Sequence, residues 1–220
     1  MNSDSIELNN LAVAYLQSGN IIQAFELLSK ASNIAMQVVP NHTHVDSDGS
    51  IFLFHWVEQD RCSTAATSNN SLNLSLEGST PFLFLRALRV SVSDDVLDVD
   101  KLCPCGYAWV IWYNLAICCS VIGTRLGELG QNLLETAFDL YCRVQRQIDS
   151  EPSSEHWNLL QMAVINNQAC IYHDFGMGEE TREFLEQLAV TVLKSSEDRM
   201  RAFFFINLQI LGNDSVASAA

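Results

Sequence analysis

One frame of residues occurs three times in this chain. Asn10-Leu11-Ala12 is followed by Tyr15 and Gly19, Asn114-Leu115-Ala116 by Cys119 and Gly123, and Asn167-Gln168-Ala169 by Tyr172 and Gly176, always at the same internal spacing. Such an internal repeat constrains the fold more than any composition does. A single helical hairpin cannot bury its apolar face, so repeated hairpins stack and form a continuous core between them. The middle copy sits in Trp109–Gly123 (WVIWYNLAICCSVIG), an apolar run without a charge. A helix apolar on every side needs neighbours on every side, which is the position of a central helix in a stack.

The elements around the frames read accordingly. Residues 6–18 form a helix that Ser3 or Ser5 can cap, and Gly19-Asn20 stops it with a tight turn. A second helix runs from about Ile21 to Val38, with Ala24, Leu28, Ala31 and Ala35 on its apolar side, and Pro40 ends it. Residues 41–106 break the pattern as a polar insert. Within it, Phe52–Val57 and Phe82–Val92 read as strands, with Pro81 at the start of the second. Tyr107 to about Ile148 and about 156–194 read as two further hairpins, and Gly123 is the expected end of the middle frame's first helix. A helix at 199–211 would cap the array, and 212–220 is a frayed tail.

Leu11, Ala12, Tyr15, Gly19, Ile21, Ala24, Leu28 and Ala31 resemble the tetratricopeptide-repeat pattern, in which small residues let paired helices approach closely. The second and third copies are more divergent. The chain is also similar to a group of uncharacterised algal proteins with divergent tetratricopeptide-like repeats and an irregular insert, a resemblance that brings no activity with it. The fold class expected is mainly α: a single domain of three helical hairpins, an insert containing a few β-strands, and a capping helix.

The resemblance implies a protein or peptide partner, held on the concave face of the first helices. Asn9, Asn10, Val13 and Leu16 would line that face in the first repeat, with Tyr113, Asn114, Ile117 and Ser120 in the second and Asn166, Asn167, Cys170 and His173 in the third. Asn10, Asn114 and Asn167 resemble asparagines that bond a peptide backbone in family members. A terminal-carboxylate clamp also needs Lys or Arg nearby, and these helices offer none there. The bland alternative is that the asparagines bond neighbouring helices.

Composition enters where it excludes. A net charge of −14, spread along 220 residues, opposes nucleic-acid binding, because phosphate contacts need clustered bases, and would favour a basic partner. The polar start MNSDSIELNN lacks a secretory pattern, and seven cysteines without one read as reduced thiols, so a cytoplasmic or nuclear setting is expected. A membrane span through 107–123 is disfavoured by its length, by Asn114 and Ser120, and by the lack of basic flanks.

Little in the chain suggests catalysis, and neither an enzyme nor a cofactor is expected. His42, His44, Asp46 and Asp48 resemble a hydrolase metal run, but Ser47 stands where a further histidine belongs. Val57 stands where a calcium loop would need its closing acid. Cys103-Pro-Cys105 is too tight for the common zinc knuckle, although a functional thiol there is an alternative. Cys118 and Cys119 are consecutive on a helix and point about 100° apart, which suits packing better than shared metal ligation. A metal-binding or hydrolytic role for His42, His44, Asp46, Cys103 and Cys105 is therefore the alternative to a binding scaffold.

Overall fold

Glycine placement explains where the first and third hairpins turn. Gly19 and Gly176 take φ of 78° and 71°, the left-handed region that residues with a Cβ enter at a cost. The hydrogen bonds around them match. Gly19 N–H reaches Leu16 O at 3.1 Å and Asn20 N–H reaches Tyr15 O at 2.8 Å, while Gly176 reaches His173 O and Met177 reaches Tyr172 O, both at 2.9 Å. Both are Schellman caps, which satisfy carbonyls a helix end would otherwise orphan.

The computed structural model describes residues 3–38, 51–56, 83–93, 106–150, 155–194 and 203–210, and the chain is mainly helical. Helices α1 (Ser3–Gln17) and α2 (Ile21–Val38) form the first hairpin, α3 (Gly106–Leu126) and α4 (Gln131–Ser150) the second, and α5 (Glu155–Asp174) and α6 (Gly178–Lys194) the third. Packing runs in chain order, α2 against α3 and α4 against α5, so the hairpins stack. Residues 203–210 are also helical, within the stretch expected to cap the array. Ser5 does not cap α1: it lies buried inside the helix.

Strand β1 (Ile51–Trp56) pairs antiparallel with β2 (Leu88–Ser93), with Phe54 opposite Val90 and Trp56 opposite Leu88. The pairing is shorter than the apolar run at 82–92 suggests, since residues 83–87 belong to no strand.

The middle frame departs from its two relatives. Gly123 does not end a helix, because α3 continues to Leu126 and the turn falls at Gly127, with φ of 57°. A single 3-10 turn, Gly127–Gly130, then leads into α4. Gly123 serves a close approach instead. A Cβ there would stand 2.8 Å from Leu134 Cγ and 3.0 Å from Gly130 O, and a Cβ on Gly130 would overlap the Gly123 carbonyl. Two helix backbones meet at this point, and only glycine permits it.

Every residue of α3 from Gly106 to Gly123 is buried. The helix is long and apolar enough to cross a membrane, yet 94% of its most apolar window is covered by the fold itself. Its indole at Trp109 lies 4.9 Å from Trp157 on α5. Small residues at Ala24, Ala31, Ala116, Ala137, Ala163 and Ala169, all fully buried, let neighbouring helices come close.

Candidate functional site

Helices α1, α3 and α5 each carry one of the three frame asparagines, and all three asparagines bond one stretch of chain on the same side of these helices. That side is not empty. Residues 83–90 run across it from α5 to α1, and each asparagine holds both polar backbone groups of one residue.

At α1, Val90 N–H donates to Asn10 Oδ1 at 2.9 Å while Asn10 Nδ2 donates to Val90 O at 2.6 Å. At α3, Leu88 N–H donates to Asn114 Oδ1 at 2.9 Å and Asn114 Nδ2 returns to Leu88 O at 2.7 Å. At α5, Phe84 N–H donates to Asn167 Oδ1 at 2.7 Å and Asn167 Nδ2 to Phe84 O at 3.1 Å. The gap between Phe84 and Leu88 is filled by the Tyr113 hydroxyl, which donates to Phe84 O at 3.3 Å and Arg86 O at 3.2 Å.

Residues 84, 86, 88 and 90 alternate, and in an extended chain alternate residues present their polar groups to one edge. One edge of the segment therefore faces side-chain amides. The opposite edge of β2, at Arg89, Ser91 and Ser93, faces β1 by the observed register. A carboxamide has one acceptor and one donor group side by side, as a peptide group does, so three asparagines on stacked helices replace a neighbouring strand. Buried backbone without such partners would carry a desolvation penalty.

A further layer fixes the amides. Asn114 Nδ2 also donates to Asn9 Oδ1 at 2.8 Å, and Asn9 Nδ2 donates to Leu88 O at 3.2 Å. Asn167 Nδ2 donates to the Tyr141 hydroxyl at 3.0 Å. Asn207 Nδ2 donates to Asn166 Oδ1 at 2.7 Å, tying the helix at 203–210 to α5. Burial raises the phenol pKa of Tyr113, with Tyr141 adding to the effect, so its hydroxyl stays a neutral donor. Tyr141 is likewise raised by burial, against the opposing hydrogen bonds from Ser120 and Asn167.

The side chains of the segment are buried with it. Leu83, Phe84, Ala87, Leu88 and Val90 are all buried, and Phe84 packs 5.4 Å and 5.2 Å from the rings of Phe203 and Phe204. Arg89 stays outside and reaches Gln17 Oε1 at 2.8 Å.

Of the expected groove residues, Asn10, Tyr113, Asn114 and Asn167 meet the segment 83–90, which occupies the place expected for a partner. Val13, Tyr113, Asn114, Ile117, Asn167 and Cys170 are buried, Asn10 is half-buried and bonded to Val90, and His173 lies at the end of α5 beside Asp174, 3.9 Å away. The frame asparagines mainly bond the crossing segment rather than neighbouring helices. Sequence reasoning missed Tyr141 and Asn207 as supports of these amides. The signal for Asn207 was present: a lone asparagine in the apolar run Phe203–Leu211.

His42, His44, Asp46, Asp48, Cys103 and Cys105 lie outside the described residues. Among the described residues no group of three His, Cys, Asp or Glu side chains stands close enough to hold a metal ion. Cys118, Cys119 and Cys170 are buried thiols whose pKa values are raised by desolvation, that of Cys119 to about 12, which makes them inert packing groups at neutral pH. Comparison with protein-family models, with curated proteins and with solved structures gave no match.

Proposed function

We propose that this chain is a non-enzymatic protein-interaction scaffold of tetratricopeptide-like hairpins, whose concave face reads an extended polypeptide through its backbone. The observation that supports the reading is the ladder of Asn10, Asn114 and Asn167, each closing on the N–H and C=O of one residue. Such contacts give affinity without dictating side chains, as in strand addition to a sheet edge. Specificity then comes from the apolar seats now filled by Phe84, Leu88 and Val90.

In this reading the segment 83–90 is a tethered occupant, and a partner strand of similar apolar pattern gains the groove by exchange. A tethered segment competes at a high effective concentration, so an external peptide binds only when the tether's own contacts are weakened. Leu88→Pro in the full chain does that, because proline lacks the N–H that Asn114 accepts.

A labelled synthetic peptide with the sequence of residues 82–92 is the probe, read by fluorescence anisotropy. It is expected to bind Leu88→Pro, to bind wild type weakly or not at all, and to lose binding when Asn114→Ala is added. A folded Leu88→Pro protein, verified by circular dichroism, that fails to bind the peptide would overturn the reading and leave residues 83–90 as a fixed part of the core.

A further inference from the structure

A second feature lies away from the filled groove, where the end of α5 and the α5/α6 turn meet α4. A cleft of about 600 Å³ opens there, lined by Glu135, Phe138 and Asp139 of α4 and by Tyr172, Phe175 and Met177. This size falls within the range of side-chain and small-ligand sites.

Its floor is aromatic. The Phe138 ring stands edge-on to Tyr172 at 4.7 Å and to Phe184 at 6.2 Å, and Tyr172 lies 5.5 Å from Phe184. The Schellman turn at Gly176 sets Phe175 and Met177 on the wall, 36% and 37% exposed. Glu135 and Asp139 are exposed one helical turn apart on the rim. Glu180 and Glu183 also act on the Tyr172 hydroxyl, whose pKa is raised first by burial and then by Cys142 and these acids.

Among the described residues, no Lys or Arg lines the cleft. The bases nearest in sequence are turned elsewhere: Arg143 to the Met36 sulfur, Arg146 to the Cys142 carbonyl, and Arg182 to Glu179 and Glu186. An aromatic floor attracts a cation through the ring quadrupole, and a carboxylate rim adds directed acceptors. Arginine meets both demands at once, since its planar guanidinium stacks on rings and forks onto carboxylates, whereas an ammonium does neither as well. The chain's charge of −14 would steer such a partner inward.

We infer that this cleft is a docking site for an arginine-bearing segment of another protein, separate from the backbone-reading groove. The probe is a fluorescein-labelled, acetylated pentapeptide alternating alanine and arginine, with lysine and citrulline analogues, titrated against the full chain. The arginine peptide is expected to bind best, the lysine peptide more weakly, and the uncharged citrulline peptide not at all.

Glu135→Gln combined with Asp139→Asn is expected to weaken binding about two- to thirtyfold, the range for two exposed ion pairs. Phe175→Ala is expected to weaken it about two- to fivefold through the lost cation–ring contact. The charge-matched control, Asp4→Asn with Glu128→Gln, is expected to leave binding unchanged. All these side chains are exposed, so the fold is expected to survive each change, as circular dichroism would verify. Absence of binding to wild type overturns the inference. So does a control variant that weakens binding as much as the cleft variant, because attraction would then belong to the whole acidic surface.

Discussion

Asn114→Ala separates two physical accounts of the repeated asparagine, because they predict opposite signs. Judged by helix propensity alone, alanine in place of asparagine within α3 would stabilise by about 0.5 kcal/mol. The hydrogen bonds predict the reverse. Truncation removes the acceptor of the Leu88 N–H, Asn114 Oδ1, and the donor to Asn9 Oδ1, Asn114 Nδ2. Leu88 O keeps one donor, Asn9 Nδ2 at 3.2 Å. A buried group left without a partner costs about 1–3 kcal/mol, so two cost about 2–6 kcal/mol, with water entry into the vacated space favouring the lower end. After the propensity gain the expected net loss is about 1.5–5.5 kcal/mol, a large share of a domain's typical stability. Urea unfolding followed by circular dichroism measures it, and hydrogen exchange at the Leu88 amide reports whether segment 83–90 loosens before the helices unfold. Asn10→Ala should cost less, because its clamp is half-buried and water can replace it. A stability unchanged or increased in Asn114→Ala, with Leu88 still protected, would refute the reasoning.

Three further outcomes follow from the packing and the titrating groups. Gly130→Ala should destabilise by about 3 kcal/mol or more, since its Cβ overlaps the Gly123 carbonyl. Gly127→Ala meets open space and should cost only about 1 kcal/mol for its left-handed backbone, a contrast that thermal melts of both variants would show. In a chain with Cys62, Cys103 and Cys105 changed to serine, a thiol reagent at pH 8 should label Cys142 first, because it alone of the remaining four is not buried. Cys118, Cys119 and Cys170 should react only on unfolding, and rapid labelling of any of them in the folded protein would contradict the packing. Asp174 has its pKa raised by burial, opposed by His173. Its contribution is therefore present below the unfolded carboxylate pKa and lost as pH rises through the higher folded value. Asp174→Asn should accordingly raise the melting temperature at pH 7, with the gain closing toward about pH 3, and a variant less stable at pH 7 would show that the His173 contact outweighs desolvation.

Local structure was legible wherever one residue type answers one local need. Ile21–Val38 follows directly from its small and apolar spacing between a glycine turn and a proline. Gly19 and Gly176 mark left-handed caps, which few other residues fill. Gly123 stands at the same place in its frame but misleads, because a glycine needed for close approach reads the same as one needed for a turn. What distinguishes them is Gly130 in the 3-10 turn and Leu134 on α4 packed against it, which local sequence does not show. The asparagines were legible as a recurring polar position, and their partner was not. Phe84 and Asn167 are 83 residues apart, as are Val90 and Asn10 by 80, and no periodicity links a helix frame to a distant apolar run.

By itself, then, the sequence determined that this chain builds helical hairpins around a central helix that carries no charge from Gly106 to Thr124, because repeated small residues and a charge-free run favour helices packed on every side. Only the tertiary structure decided what lies along the asparagine ladder. The three carboxamides would suit any backbone edge equally well, since amide groups read main chain and not side chain. Residues 83–90 hold that place because their apolar side chains find seats between the stacked helices and the Phe203–Phe204 pair.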